Sequence, residues 1–346
     1  MAGGKGERFW PWSRNDRPKH LLPLFGRRTM VEMTVARLRP LLPKKQIWIV
    51  TNAQQARVMK RLMPWFCPAN FIVEPVGRDS AGAVMLGCAR VAARDPRAVT
   101  ALLPADHLIR DQRGFQGALR ACFQVAEGRP LLVTLGVRPR FATSALGYIG
   151  RGVRIAVEDV RGAGVFRVAD FVEKPHVERA RRLISGGRFY WNTGIFTWSV
   201  RAIREALGRH SAGHARGWDL LLRSRRRYLA RGFHRLPKIS IDYAVMEKAQ
   251  NVCVVQGEFD WDDVGSWSAL YAHLPHDPEG NCRRGNVIAS DTRGCLLFGD
   301  KRPLVTLGVR DLVVIQTADA TLVCHRDHAW RLKDALKRLA PRQPGL

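Results

Sequence analysis

The sequence contains no long hydrophobic run and no paired-cysteine motif. No apolar stretch approaches the roughly 18 residues of a membrane-spanning helix, and no signal-peptide pattern stands at the start of the chain. The cysteines, which show no Cys-x-x-Cys spacing, are at positions 67, 88, 122, 253, 282, 295 and 324. An odd and scattered set favours reduced thiols over a disulfide framework. We therefore expect a cytoplasmic protein that has no membrane partner.

Acidic residues are scarce relative to basic ones. Asp and Glu total 30 against 57 Lys and Arg, which gives a formal net charge of +27. Arginine supplies most of this charge and is spread along the chain, whereas nucleic-acid-binding proteins usually concentrate it on one face. Local runs such as Arg179–Arg182 lie in helix-like stretches and indicate solvated surfaces. We expect no nucleic-acid partner, although the charge would attract small anionic substrates.

The first part of the chain alternates between two patterns. Helix-like segments such as Met30–Leu41 and Ala81–Ala93 are separated by short apolar runs such as Ile47–Val50 and Val99–Leu103. This alternation predicts an α/β fold with a Rossmann-like, mixed and mostly parallel sheet that has helices on both faces.

The pattern changes near the C-terminus. From Asn281, short β-branched runs are divided by turn residues, and a helical segment closes the series. These runs predict a small all-β unit with coiled strands, of the β-helix type. We therefore expect a catalytic domain over residues 1–275 and a small β-rich domain over 281–346.

The chain begins with a glycine-rich loop. Gly3, Gly4 and Gly6 permit a tight backbone with positive φ and no Cβ in the way. Such a loop can turn its N–H groups toward a phosphate, and Arg8 and Lys19 add positive charge. The segment predicts a polyphosphate site, although a disordered basic terminus would show the same composition.

The strand that should precede this loop is absent from the sequence. Phosphate-binding loops normally leave a buried strand, but only Met1 and Ala2 precede Gly3. We expect the native product to begin upstream with about six apolar residues, and a gap beside the strand that ends at Leu103. Each buried backbone group left unpaired costs about 1–3 kcal/mol, against a total stability of about 5–15 kcal/mol. The chain as written is therefore expected to be unstable or inactive.

Two carboxylate positions are candidate metal ligands. Asp106 follows an apolar strand, where α/β proteins place ligand groups, and Asp262 and Asp263 follow Trp261. Mg²⁺ prefers a few carboxylates together with phosphate oxygens. Converging carboxylates would give a Mg²⁺ site, whereas each taken singly is equally compatible with a capping residue or an exposed turn.

Three further segments carry candidate binding residues. Lys174 lies between Glu173 and Pro175 and is expected at a strand end, as a phosphate ligand or an ordinary surface lysine. Asn192 stands among aromatic residues that form either plain core or a platform for a sugar. Residues 74–79 offer acceptors that suit the N1–H and N2–H₂ donors of guanine.

In this order the motifs resemble the bacterial mannose-1-phosphate guanylyltransferases, within the sugar-phosphate nucleotidyltransferase superfamily. The resemblance covers nearly the whole chain. The segments that carry it are 1–19, Glu74–Arg78, Pro104–His107, Gly147–Gly150, Phe171–Pro175, Trp191–Phe196, Ser240–Glu247 and Trp261–Trp267.

The resemblance implies that GTP and mannose 1-phosphate give GDP-mannose and pyrophosphate. It places Asp106 and Asp263 on Mg²⁺, Arg8 and Lys19 on the triphosphate, and Lys174 on the sugar phosphate. The implied nucleotide ligands are Gly3, Gly4, Gly6, Glu74, Gly77 and Arg78, and the implied sugar ligands are Gly147, Tyr148, Glu173 and Asn192. A homodimer remains an open expectation.

The sequence departs from the family pattern at several positions besides the absent strand. Gly82 replaces a usual proline and His20 a usual glutamine. Longer relatives add an isomerase domain, so guanylyl transfer alone is expected here. The alternatives are a thymidylyl- or uridylyltransferase acting on glucose 1-phosphate, which Trp10-Pro11 and residues 261–267 disfavour, and an inactive nucleotide-sugar-binding regulatory subunit.

Overall fold

The computed structural model describes residues 1–4, 6–157, 160 and 163–339. They form two compact units, each assembled from separate parts of the chain. The first unit contains residues 1–3, 35–105 and 109–262, and the second contains residues 4–34, 106–108 and the chain from 263 on. Lys5 of the glycine-rich loop lies outside the described residues. The predicted domains, 1–275 and 281–346, remain a prediction.

The strands of the first unit differ in length and in burial. They are β1 (Ile49–Asn52), β2 (Phe71–Glu74), β3 (Val99–Leu102), β4 (Leu132–Val137), β5 (Tyr148–Arg154), β6 (Val165–Val172), β7 (Phe189–Ser199) and β8 (Val252–Gly257). Strand β4 is buried along its whole length, because it is an apolar run in the middle of a sheet that is covered on both faces.

Six of these strands form a mixed sheet in the order β3-β7-β4-β8-β6-β5. Strands β4 and β8 pair in parallel, whereas β7 is antiparallel to both β3 and β4. Consequently β3, β4, β5 and β8 share one direction and β6 and β7 have the other. The predicted mixed α/β fold is confirmed, but most neighbouring pairs are antiparallel because β6 and β7 are inserted between strands of the common direction.

The helices follow the apolar periodicity of the sequence within a few residues. They are α1 (Met30–Leu38), α2 (Ala53–Leu62), α3 (Asp79–Ala92), α4 (Gln112–Ala126), α5 (Val177–Ser185), α6 (Val200–His210), α7 (Ala212–Arg231), α8 (Trp267–Tyr271) and α9 (Leu332–Leu339). Several have side-chain caps of the expected kind: first-turn N–H groups of α2, α4, α6 and α8 donate hydrogen bonds to the side chains of Asn52, Asp111, Ser199 and Ser266, respectively.

Within the part of the chain that the structure describes, strand β3 pairs with a strand on one side only, in agreement with the gap expected beside Leu103. Among the described residues, β1 and β2 form a separate parallel pair and do not join the larger sheet. Met1 and Ala2 provide hydrogen-bond partners for some of the backbone groups near this edge. The Met1 ammonium donates to Leu103 O at 2.6 Å, Ala105 N donates to Met1 O at 3.0 Å, and Ala2 N donates to Val50 O at 2.8 Å. The expected instability of the chain remains a prediction.

The second unit contains coiled parallel strands. One sheet joins β9 (Cys282–Arg284), β11 (Leu296–Phe298) and β13 (Leu312–Gln316) in parallel, with β14 (Thr321–His325) antiparallel at its edge. A second parallel pair joins β10 (Val287–Ser290) and β12 (Leu304–Leu307). The coiled all-β unit is therefore confirmed. Its core includes Trp267, whose ring centroid is 5.0 Å from that of Phe9 and 5.8 Å from that of Phe298.

All cysteines are free thiols, in agreement with the sequence prediction. Cys67 is exposed and Cys324 is half-buried. The buried cysteines are Cys88, Cys122, Cys253, Cys282 and Cys295. Within the described part of the chain, the helices are all too short or too polar to cross a membrane.

Candidate functional site

The glycine-rich loop brings its backbone close to Lys19 in the second unit. Gly6 has a φ of 67°, and a Cβ at this position would collide with the backbone nitrogen of Lys19. Only glycine allows both the conformation and the approach. A Cβ at Gly4 would meet nothing within 4 Å. In the first unit, a Cβ at Gly3 would lie 3.6 Å from Glu74 Oε2, which is ordinary contact. Among these glycines, packing therefore requires only Gly6.

Lys19 joins the two predicted metal-ligating segments of the second unit. Its side chain is only 9% exposed, and its Nζ lies 3.1 Å from Asp106 Oδ2. The same ammonium donates a hydrogen bond to the backbone oxygen of Asp263. Nearby, Arg8 Nη1 donates to Gly265 O at 3.5 Å. Both predicted cations, the Asp106 carboxylate and the backbone around Asp263 thus lie in one cluster.

The backbone beside Asp263 is strained. Val264 has a φ of 46° and is completely buried. This left-handed conformation is unfavourable for a β-branched residue, and such strain persists only where the surroundings enforce it. Strained positions cluster at functional sites, which agrees with a role for the neighbouring carboxylate.

The charges in this cluster keep Asp106 ionised. Burial alone would raise the pKa of its carboxyl, but the charge of Lys19, with smaller effects of His107 and His20, holds that pKa well below its usual range. His20, the residue that departs from the family's glutamine, is itself buried. The cluster therefore offers a permanently anionic oxygen ligand at neutral pH.

The motifs predicted to bind a sugar form a second cluster, the sugar cluster, in the first unit. A Cβ at Gly147 would collide with Glu173 Oε2 and would lie 3.2 Å from Asn192 Cβ. Asn192 N also donates to Gly147 O at 2.8 Å. Lys174 Nζ lies 2.7 Å from Glu173 Oε1, and Lys174 has a φ of 47°. Although burial opposes it, the hydrogen bond and the charge of Glu173 raise the pKa of Lys174. These residues therefore lie close together, while their roles toward a sugar and its phosphate remain predictions.

Tyr148 has a structural part in this cluster. Its side chain is fully buried, and its hydroxyl donates to Thr143 O at 2.9 Å and accepts from Thr143 N at 3.0 Å. The hydroxyl therefore closes the loop that leads to Gly147. Direct contact between Tyr148 and a sugar remains a prediction.

Sequence analysis missed two acids that belong to the sugar cluster. Asn192 Nδ2 donates to Asp242 Oδ1 at 2.8 Å, and Glu173 N donates to Glu247 Oε1 at 3.1 Å. Burial, reinforced by the charge of Glu173, raises the pKa of Asp242 to about 6. Both acids lie in the motif 240–247, whose residues 242–246 form a π-helix. Such helices are frequent at functional sites, but the motif alone assigned these acids no role.

Glu74 provides a buried acceptor at the end of β2. Its side chain is 7% exposed, and its Oε1 has no hydrogen-bond partner. Burial raises its pKa to about 7, the charge of the Met1 ammonium lowers it, and that of Asp79 raises it. Gly77 is exposed, and a Cβ there would meet nothing within 4 Å.

Gly82 makes room for Arg78. A Cβ at Gly82 would lie 2.7 Å from Arg78 Cβ, a separation that real Cβ atoms do not tolerate. The Nε of Arg78 is buried and has no hydrogen-bond partner. The departure from the family's proline therefore has a structural reason, since a larger residue would displace Arg78.

Two family models match the chain. The Nucleotidyl transferase family matches residues 1–279. The MannoseP isomerase/GMP-like beta-helix domain family matches residues 285–339, in agreement with the coiled strands of the second unit.

Several known proteins are similar to the chain over nearly its full length. A mannose-1-phosphate guanylyltransferase from Escherichia coli is 35% identical over 99% of this chain and 74% of its own length. Alginate biosynthesis protein AlgA from Pseudomonas aeruginosa is 34% identical over 98% of this chain and 71% of its own length. A crystal structure described as mannose-1-phosphate geranyltransferase from Thermus thermophilus is 39% identical. Its TM-score is 0.87, with 98% of this chain and 97% of that chain covered.

Proposed function

Because the chain belongs to the nucleotidyl transferase family, and within it to the mannose-1-phosphate guanylyltransferases, we propose that it transfers GMP from GTP to mannose 1-phosphate. The products would be GDP-mannose and pyrophosphate. The observation that carries this proposal is the cluster in which Lys19 bridges Asp106 and the backbone of Asp263. Such a cluster suits a polyphosphate and its counter-ion better than any neutral ligand.

The donor set of this cluster fits a magnesium ion. Among the described residues, there is no group of three or more His, Cys, Asp or Glu side chains placed to hold a metal. Mg²⁺ seldom uses such an all-protein cage, because it prefers one or two carboxylates plus substrate phosphates. Asp106 and Asp263 would hold the ion, and when bound it supplies positive charge against the phosphate oxygens.

The transfer itself requires no covalent enzyme intermediate. An oxygen of the sugar phosphate attacks the α-phosphorus of GTP in line, a new O–P bond forms, and the bond to the β-phosphate oxygen breaks with its electron pair leaving on pyrophosphate. Arg8 and Lys19 bind the triphosphate and offset the charge that develops on the leaving group. Lys174 binds the attacking phosphate. Catalysis is then mostly positioning and neutralisation of charge.

The base assignment is supported by Glu74. A buried carboxylate oxygen without a partner is costly, and a ligand that brings N–H donors would remove this cost. Guanine presents N1–H and N2–H₂ side by side, so it can engage both oxygens of one carboxylate, whereas thymine and uracil present a single N–H. Glu74 with Gly77 and Arg78 would therefore select the purine.

The sugar assignment is supported by the order within the second cluster. Asn192 Oδ1 accepts from Gly194 N at 3.0 Å while its Nδ2 donates to Asp242, so the amide has one fixed orientation. A fixed amide and the Glu173 carboxylate suit hydroxyl groups held at fixed angles. The absence of a Cβ at Gly147 lets the Glu173 carboxylate and Asn192 approach this turn of the backbone closely.

A substrate panel tests the proposal. Pyrophosphate release would be measured for GTP, UTP and dTTP, each with mannose 1-phosphate and with glucose 1-phosphate, in Mg²⁺ and in excess chelator. We expect release with GTP and mannose 1-phosphate in Mg²⁺ only. Preference for UTP or dTTP with glucose 1-phosphate would favour the other branch of the superfamily, and no release with any pair would favour a regulatory role.

A further inference from the structure

We propose that Arg140 is a positioning residue for the transfer reaction, because it ties the loop before the sugar cluster to the backbone that leads into Asp263. This inference rests on the proposed function. Arg140 belongs to the loop between β4 and β5, which ends at Gly147. Neither the sequence motifs nor the resemblance assigned it a role.

The guanidinium of Arg140 makes three different contacts within the first unit. Its Nη2 donates to the backbone oxygen of Trp261 at 3.0 Å and lies 3.7 Å from Asp262 Oδ2. Its central carbon lies 6.0 Å from the centre of the Trp191 ring. A guanidinium can donate to a carbonyl and lie close to a carboxylate while it remains near an aromatic ring. The side chain of Asp262 is 17% exposed and that of Arg140 is 54% exposed, so this ion pair is partly screened by solvent and supplements the hydrogen bond to Trp261.

Trp191 provides the rigid surface for these contacts. Its side chain is 1% exposed, and its backbone pairs with Val137 on one side and Tyr148 on the other. Its ring centroid lies 4.8 Å from that of Phe141 and 6.3 Å from that of Trp261. The loop and the Trp261 segment therefore pack on the same buried ring. The hydrogen bond from Arg140 to the Trp261 backbone links the loop to that segment.

The residues next to these anchors are those that the proposed function uses. Asn192 follows Trp191 directly, and its N–H holds Gly147 at the end of the loop. Asp263 follows Asp262 directly. Arg140 itself would touch no substrate; it would limit the motion of the peptides from which Asn192 and Asp263 project. The two adjacent acids then have different roles, with Asp262 binding Arg140 and Asp263 binding the metal.

Steady-state kinetics with matched variants tests this inference. Arg140→Ala, Arg140→Lys, Asp262→Asn and the double variant R140A/D262N would be compared with Arg138→Ala, an exposed arginine of the same loop. We expect Arg140→Ala to lower kcat about tenfold or more, which is at least about 1.4 kcal/mol, while the KM for GTP changes less than about twofold. Arg140→Lys should recover only part of the loss. The double variant should be no worse than Arg140→Ala alone, because both substitutions break the same tie.

Hydrogen–deuterium exchange provides a readout that does not depend on activity. Exchange should quicken in peptides covering 138–147 and 259–265 in Arg140→Ala, but not in Arg138→Ala. One outcome is that the wild-type protein transfers no nucleotide while exchange in these peptides still quickens in Arg140→Ala. In that case the proposed function is wrong, but the structural link made by Arg140 is supported. An active wild type with an unchanged kcat in Arg140→Ala, an equal loss in Arg138→Ala, or additive losses in the double variant would overturn the inference.

Discussion

The carboxylates of the two units have opposite electrostatic settings. In the second unit, Lys19 holds the pKa of Asp106 well below its usual range. In the first unit, burial raises the pKa of Glu74 to about 7 and that of Asp242 to about 6. In the second unit the negative charge is therefore already balanced by a cation. In the first unit the two acids ionise less readily unless a ligand stabilises their charged forms.

This difference corresponds to the ligands proposed for each region. A phosphate and a metal ion are charged, so their site needs fixed charges that are present before binding. A base and a sugar are neutral and offer N–H and O–H donors. A shift in the pKa of Glu74 from 4.5 to about 7 makes its ionised form less favourable by about 3 kcal/mol. A ligand that donates hydrogen bonds to Glu74 stabilises the ionised form and recovers part of this free energy. A ligand without such donors does not, so the buried carboxylate favours the ligand that has them.

The largest effect should come from the charged cluster. Asp263→Asn removes half of the proposed metal-binding charge and should lower kcat on the order of 1000-fold, while the midpoint of thermal unfolding stays close to that of the wild type. Asp291→Asn, at an exposed aspartate of the same unit, is the control and should leave kcat unchanged. Activity of Asp263→Asn within tenfold of the wild type would contradict the assignment.

A smaller and more selective effect is expected at Lys174. Lys174→Ala should raise the KM for mannose 1-phosphate about 10- to 100-fold, the value of one hydrogen bond to a charged group, with little change in the KM for GTP. Arg179→Ala removes an exposed cation from α5 and serves as the comparison. If both KM values rose equally in Lys174→Ala, the residue would have a structural role instead.

Substitution of Glu74 should weaken the binding of GTP while it increases the stability of the fold. Glu74→Gln replaces one acceptor oxygen by an NH₂ donor, which would face the N–H donors of guanine. The KM for GTP should therefore rise about tenfold. The same change removes a buried ionisable group, so the free energy of unfolding at pH 8 should increase. Steady-state kinetics and urea denaturation would be measured on the same preparation. A lower stability together with an unchanged KM for GTP would remove Glu74 from the base site.

The last expected effect is in the dependence of stability on pH. Since Glu74 and Asp242 bind protons more tightly in the folded protein than in the unfolded chain, they should make the free energy of unfolding fall as the pH rises. The fall should lie between pH 4.5 and about 7 for Glu74 and between pH 3.8 and about 6 for Asp242. Asp106 has the opposite sign: its contribution is present above its ordinary pKa of 3.8 and is lost as the pH falls further. Urea titrations should show a shallower decline toward pH 7 in Glu74→Gln. An identical slope would mean that Glu74 titrates normally.

The sequence was most informative where a motif is short and its role is local. The loop around Gly6, the strand-end position of Asp106 and the coiled strands after Asn281 were all anticipated, because they follow from local backbone requirements and hydrophobic pattern. Strand order was harder to predict. Nothing within β7 indicates that it lies antiparallel between β3 and β4, since that placement depends on residues far along the chain.

Contacts within the candidate site were likewise hard to predict where they depend on residues far apart in the sequence. The resemblance supplied Lys19, Asp106 and Asp263 together, but the bond from Lys19 to the backbone of Asp263 depends on chain geometry alone. The left-handed conformation of Val264 runs against its side-chain preference, so no propensity could indicate it. Asp242 accepts from the side chain of Asn192 and Glu247 from the backbone of Glu173, so their contribution becomes visible only once those residues are in place.

The distribution of thiols gives each unit its own reporter. A thiol-reactive reagent added to the folded protein would reach Cys67 first, because the five buried sulfurs react only when their surroundings open. Cys88, Cys122 and Cys253 lie in the first unit, whereas Cys282 and Cys295 lie in the second. Mass analysis of labelled peptides over time would therefore resolve the opening of the first unit from that of the second without any substitution.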